Sequence, residues 1–89
     1  MIKIKPSETE PTILAFDGEI LECFFMDGSK RVHITHIKGI QLNQEDKGKH
    51  LLDIGLKYDH IYVQVDEEAF AKVNELIAGV QNAKAAFKL

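Results

Sequence analysis

The apolar positions of this chain follow two periods, and the change between them divides it. In the last third Ala69, Phe70, Val73, Leu76, Ile77, Val80 and Ala83 recur at steps of three and four, which gathers them on one face of a helix spanning about residues 66–87. Ahead of that helix the period falls to two. Leu52, Ile54 and Leu56 alternate with Asp53, Gly55 and Lys57, and beyond Tyr58-Asp59 the residues Ile61, Val63 and Val65 alternate with Tyr62 and Gln64, which predicts two half-buried strands. Residues 12–16 and 19–26 flank Asp17-Gly18, a dipeptide suited to a tight hairpin turn. Asp27-Gly28-Ser29 turns the chain again into residues 30–34, where Val32 and Ile34 point one way and Arg31 and His33 the other. A lone amphipathic helix needs a surface to cover, and the strands of residues 12–65 supply it. The fold class is therefore mainly β (α+β): a small antiparallel structure closed by one C-terminal helix.

Two stretches depart from simple alternation. Ile34, Ile37 and Ile40 are spaced by three, so residues 35–38 read as a bend that returns Ile37 to the core, with Gly39 allowing a close approach or bulge. Residues 41–48 are polar and turn-rich, and read as an exposed hairpin loop. At the start, Ile2 and Ile4 alternate with Lys3 and Lys5 before a flexible connection, so residues 1–11 form a short strand and linker ahead of a single domain at 12–89. Asp66 is placed to cap the helix. Glu67 and Glu68 suit its positive end, and Lys84 and Lys88 its negative end.

Composition narrows the function classes. With 45% apolar and 28% charged residues the chain of 89 residues is an ordinary globular domain, but one so small that it buries only roughly 60–65% of its unfolded surface. A binding partner adds what such a core lacks. The net charge of −3 provides no general field for phosphates, so no nucleic-acid partner is expected. No apolar run reaches the roughly 18 residues of a membrane span, and residues 1–6 do not form a signal-peptide core. The expected location is cytoplasmic. Cys23 is the single cysteine, which excludes an internal disulfide.

Residues 31–42, Arg31-Val32-His33-Ile34-Thr35-His36-Ile37-Lys38-Gly39-Ile40-Gln41-Leu42, and residues 65–70, Val65-Asp66-Glu67-Glu68-Ala69-Phe70, carry a resemblance. They are similar to the strand and corner, and to the opening of the closing helix, in pleckstrin-homology-like (PH-like) domains of the compact bacterial kind, over about residues 12–86. The resemblance implies a six- or seven-stranded antiparallel barrel of two orthogonal sheets, capped at one end by the C-terminal helix. It implies no cofactor and a role in recognising protein, peptide or lipid. A helix tryptophan and a lysine-arginine series around the first hairpin, usual in eukaryotic members, are absent here. The resemblance therefore does not extend to inositol-phosphate binding.

Candidate chemistry is sparse. In a regular strand His33 and His36 would face opposite ways, and His50 and His60 have no ligand-like spacing, so no metal site is expected. A phosphate loop fails because Asn43 stands where its first glycine belongs and His50 where Ser or Thr would hold magnesium. Cys23, beside Glu22 in an apolar strand, reads as a packed thiol. The carboxylates form no acid/base pair, so the chain is not expected to be an enzyme. Two binding surfaces remain. Residues 19–26 are apolar on both faces, Ile20, Phe24 and Met26 on one and Leu21, Cys23 and Phe25 on the other, which leaves one face either covered internally or exposed as an interface centred on Leu21, Cys23 and Phe25. That face, or a strand edge, would bind a protein partner or a second copy in a homo-oligomer. The alternative is a basic rim of Lys30, Arg31, Lys47 and Lys49 for an anionic lipid.

Overall fold

In a computed structural model that describes residues 1–46 and 48–87, seven strands form two antiparallel sheets with one helix packed on them. The first sheet holds β1 (Ile2–Ile4), β2 (Ile13–Phe16), β3 (Ile20–Phe25) and β4 (Gly28–His33) in that order. The second holds β5 (Gly39–Asp46), β6 (Lys49–Gly55) and β7 (His60–Asp66). Among the described residues no strand pair joins the two sheets, so they stand as separate layers and not as the hydrogen-bonded closed barrel that the resemblance implies.

Local chemistry sets the turns. Gly18 takes φ 102°, a conformation costly for other residues. The Asp17 carboxylate accepts hydrogen bonds from the Glu19 and Ile20 N–H groups at 2.9 and 2.7 Å, and those bonds hold it below its usual pKa. The expected corner is a 3₁₀ turn at Ile34–His36, and it buries Ile34 and Ile37 as the three-residue spacing requires. Gly39 is no bulge. A Cβ there would meet nothing within 4 Å, and the irregular step falls farther along, between Gln44 and Asp46. The polar residues expected to form a loop extend β5, because β6 pairs with them as far as Asp46–Lys49.

Between the sheets lies one core. β2, β3 and β4 contribute Leu14, Leu21, Cys23 and Val32, the corner adds Ile34 and Ile37, and β6 and β7 add Leu52, Ile54, Val63 and Val65. A 3₁₀ turn at Glu67–Ala69 leads into α1 (Phe70–Ala86), which buries Val73, Leu76 and Val80, with Ala69 preceding them and Ile77 and Ala83 at the margins. Each fully buried Val or Leu contributes about 1.5–3 kcal/mol, so this stripe holds the helix in place. Phe70 lies outside it, 38% exposed and tilted against His50 with ring centroids 4.5 Å apart.

Asp66 does not cap the helix. It makes no capping bond, and its carboxylate instead accepts from Ser7 Oγ at 3.1 Å and from the Glu8 N–H at 2.9 Å. Its own N–H donates to the Pro6 carbonyl at 2.9 Å. The expected flexible connection is thus fastened to β7, with Pro6 and Ser7 buried. At the helix's other end Lys84 Nζ donates to the Ile37 carbonyl and ties α1 to the corner. Lys88 lies outside the described residues.

Candidate functional site

Two sheets that do not close leave four edges, and three of them carry at least one guarding feature. β1 is only three residues long and runs into Lys5 and Pro6. On β4, Lys30 sits on the inward-facing register with Cys23 yet stays exposed, paired with Asp59 at 3.7 Å. β7 is fastened only at its last residue, where the Asp66 N–H donates to the Pro6 carbonyl, and from His60 to Val65 it carries neither lysine nor proline. Short strands, inward-pointing charges, proline and covering segments are the devices that keep edges from pairing. β5 carries its bulge and two carboxylates only at its far end, between Gln44 and Asp46: it runs eight residues, and from Gly39 to Gln44 it too carries neither lysine nor proline. Its inward side chains Ile40 and Leu42 are buried and half-buried, while Gln41, Asn43, Gln44, Glu45 and Asp46 are exposed.

Beside the start of this edge the outer face of the second sheet is hollow. Gly39 and Gly55 oppose each other across β5 and β6, with His60 in the same row on β7. Having no side chains, the two glycines form the floor of a recess of about 280 Å³ walled by Lys38, Gln41, Asp53 and His60. His60 Nδ1 lies 2.8 Å from Asp53 Oδ1, and because an ionised carboxylate only accepts, the ring proton sits on Nδ1. The Asp53 side chain is 17% exposed, so the pair is half-sheltered. Tyr62 stacks on His60 with centroids 5.6 Å apart. A second hollow of about 340 Å³, lined by His36, Leu56 and Tyr58, shares Lys38 with the first.

The two surfaces expected from sequence fare differently. Leu21 and Cys23 are fully buried and Phe25 half-buried, because the register sets Leu21 opposite Val32 and Cys23 opposite Leu14, all facing the core. They cannot form the centre of an exposed interface, and it is Phe24 and Met26, at 39% and 84%, that face solvent. Burial raises the Cys23 thiol to about 11, so it stays protonated at neutral pH. The basic rim is not gathered. Lys30 pairs with Asp59, and Arg31, on the opposite face of β4, pairs with Glu22 at 3.8 Å. Lys49 opens β6 opposite Asp66, at the end away from Gly55, roughly 20 Å along a strand rising about 3.3 Å per residue. Lys47 lies outside the described residues.

The histidines hold elements together. His33 accepts the Thr35 N–H and reaches Glu19 at 2.8 Å, across the corner. His50, 8% exposed, meets Glu67 at 2.7 Å and so joins β6 to the helix entry. Among the described residues no group of three or more His, Cys, Asp or Glu side chains converges as metal ligands would, and no helix is long and apolar enough to cross a membrane. No protein-family model matches the chain, and no curated protein matches it.

Proposed function

We propose that this chain is a non-enzymatic protein-interaction module of PH-like fold that accepts an extended strand from another chain along β5. The fold reading is supported by a four-stranded and a three-stranded antiparallel sheet separated by a corner and followed by one closing helix. A single observation carries the binding reading: β5 is the longest edge strand of either sheet, and among the described residues no other segment is hydrogen-bonded to its free edge from Gly39 to Gln44. An added strand satisfies the edge's outward N–H and C=O groups, and alternate side chains of the ligand then fall on the core side and on the glycine-floored side. Main-chain bonds would provide affinity, and the recess at Lys38, Asp53 and His60 would provide selectivity.

A synthetic peptide with the sequence of residues 38–46 tests this, since its side chains suit a strand in this geometry. Titrated onto isotope-labelled protein, it should move the backbone amide signals of residues 39–46 and of their cross-strand partners on β6 while leaving β1 and β7 still. Movement confined to β4 or β7, or none at millimolar peptide, would refute strand acceptance at β5.

A further inference from the structure

We propose that the strand accepted by β5 is the β5 of a second copy, paired antiparallel about a two-fold axis at Leu42, with the partner's Glu45 and Asp46 lying beside Gly39 and Lys38. This rests on the strand-acceptance reading above and adds to it the identity of the partner and the register.

The distribution of charge along the edge comes first. β5 is entered from Lys38 and ends in Glu45-Asp46. Two such strands side by side and parallel would set like charge beside like, whereas the antiparallel arrangement sets the acidic end of each beside the basic start of the other. A two-fold axis produces that contact twice. The match is a property of this one segment against itself, in a chain whose other three edges each carry a short strand, an inward-facing lysine or a fastened end.

Register follows from the faces. Directly opposed residues of an antiparallel pair point to the same side, so the core-facing Ile40 and Leu42 must meet core-facing residues of the partner, and a slip of one would set apolar against polar throughout. With the axis at Leu42, Leu42 packs on the partner's Leu42, Gln41 meets the partner's Asn43 amide to amide, and Gly39 faces the irregular step between the partner's Gln44 and Asp46. The same axis sets Ile40 beside the partner's Gln44 and Lys38 opposite the partner's Asp46; an axis at Gln41 would pair Ile40 with the partner's Leu42 but move Asp46 off Lys38, and an axis at Asn43 would separate the leucines and carry both acids away from Lys38. The extra residue of that step suits the place it reaches, because the space above Gly39 is empty: a Cβ there would meet nothing within 4 Å. Lys38 lines the recess beside it, and Asp53 holds the His60 ring at its wall.

Sedimentation equilibrium on the full chain tests the proposal, with circular dichroism melts to show that each variant folds. The unsubstituted chain should form a dimer in the micromolar to millimolar range. Lys38→Glu should weaken it roughly tenfold, because the axis repeats each exposed charge contact, and Glu45→Lys with Asp46→Lys should do the same. All three changes in one chain should restore association to within about threefold of the original. Gly39→Leu, whose Cβ would meet nothing within 4 Å and whose longer side chain would occupy the recess, should also weaken the dimer. A dimer indifferent to the charge reversals and to Gly39→Leu would overturn this seating of the acids, although loss of that dimer in Gln41→Lys with Asn43→Lys would leave strand acceptance standing. A monomer at every concentration that still takes up the 38–46 peptide along β5 would overturn the second copy as the partner; a monomer that ignores the peptide would overturn both readings.

Discussion

The two edges of the three-stranded sheet are treated in opposite ways. At β7 the chain doubles back: Pro6 accepts the Asp66 N–H, and the Asp66 carboxylate gathers Ser7 Oγ and the Glu8 N–H. Along Gly39 to Gln44 of β5 nothing comparable occurs among the described residues, and an empty glycine floor lies beside the strand. Both edges belong to the same sheet and share β6 as their neighbour, so the difference is not one of fold class. A small domain under pressure to avoid edge-to-edge association has the means to close an edge. The proposed strand acceptance rests on this difference, one edge fastened at its end and the other not.

The strongest break in the comparison comes from beneath both edges. Leu52 is fully buried in the middle strand, and Leu52→Ala should cost about 2–5 kcal/mol in denaturant unfolding through lost burial and the cavity left behind. Both edges should then loosen together. A loss under 1 kcal/mol would show that the sheet does not depend on this packing.

A smaller change acts on the sealed edge alone. Ser7 is buried with its hydroxyl on Asp66 and Thr9, and Ser7→Ala should cost about 1 kcal/mol, with faster amide exchange at residues 5–9 and no change along β5. Acid should act in the same direction. The Asp66 carboxylate lies below its usual 3.8, first because of the Glu8 N–H bond. A carboxyl whose folded pKa is depressed contributes stability that is complete above the unfolded value and is lost as pH falls through the folded one. The N-terminal fastening should therefore be intact at pH 5 and above and should release below about 3.8, seen as residue-specific exchange at positions 5–9. Release already at pH 5 would mean that another group governs it.

How legible these features were depended on the range of the interactions behind them. β6 and β7 were readable because Leu52, Ile54, Ile61, Val63 and Val65 alternate and all five are buried, a matter of local period alone. The corner was readable from Ile34, Ile37 and Ile40, and the first turn from Gly18, although the turn centres on Gly18-Glu19, where Asp17 N–H donates to the Ile20 carbonyl. The inward face of β3 was not readable. Both of its faces are apolar, and only pairing with Leu14 and Val32 decides that Leu21 and Cys23 go inside. The same holds for Asp66, which suits a helix cap by position but binds Ser7 and Glu8 from the far end of the chain. β5 was hidden for a related reason: Asn43-Gln44-Glu45-Asp46 has the composition of a loop and becomes strand through its ladder with β6. The candidate site was thus missed where a polar segment owes its conformation to a neighbour. The glycine pair at 39 and 55, opposed in register, was the signal that could have pointed to the recess, once β5 and β6 were aligned.

Residue-resolved amide hydrogen exchange on the unsubstituted chain, at about ten micromolar and again near one millimolar, puts the open edge to its most direct test. Alternate amides of residues 39–46, those directed away from β6, should slow about tenfold or more at the higher concentration while β1, β4 and β7 keep the same rates. Equal rates along β5 at both concentrations, or slowing that appears on β4 or β7 instead, would contradict the account.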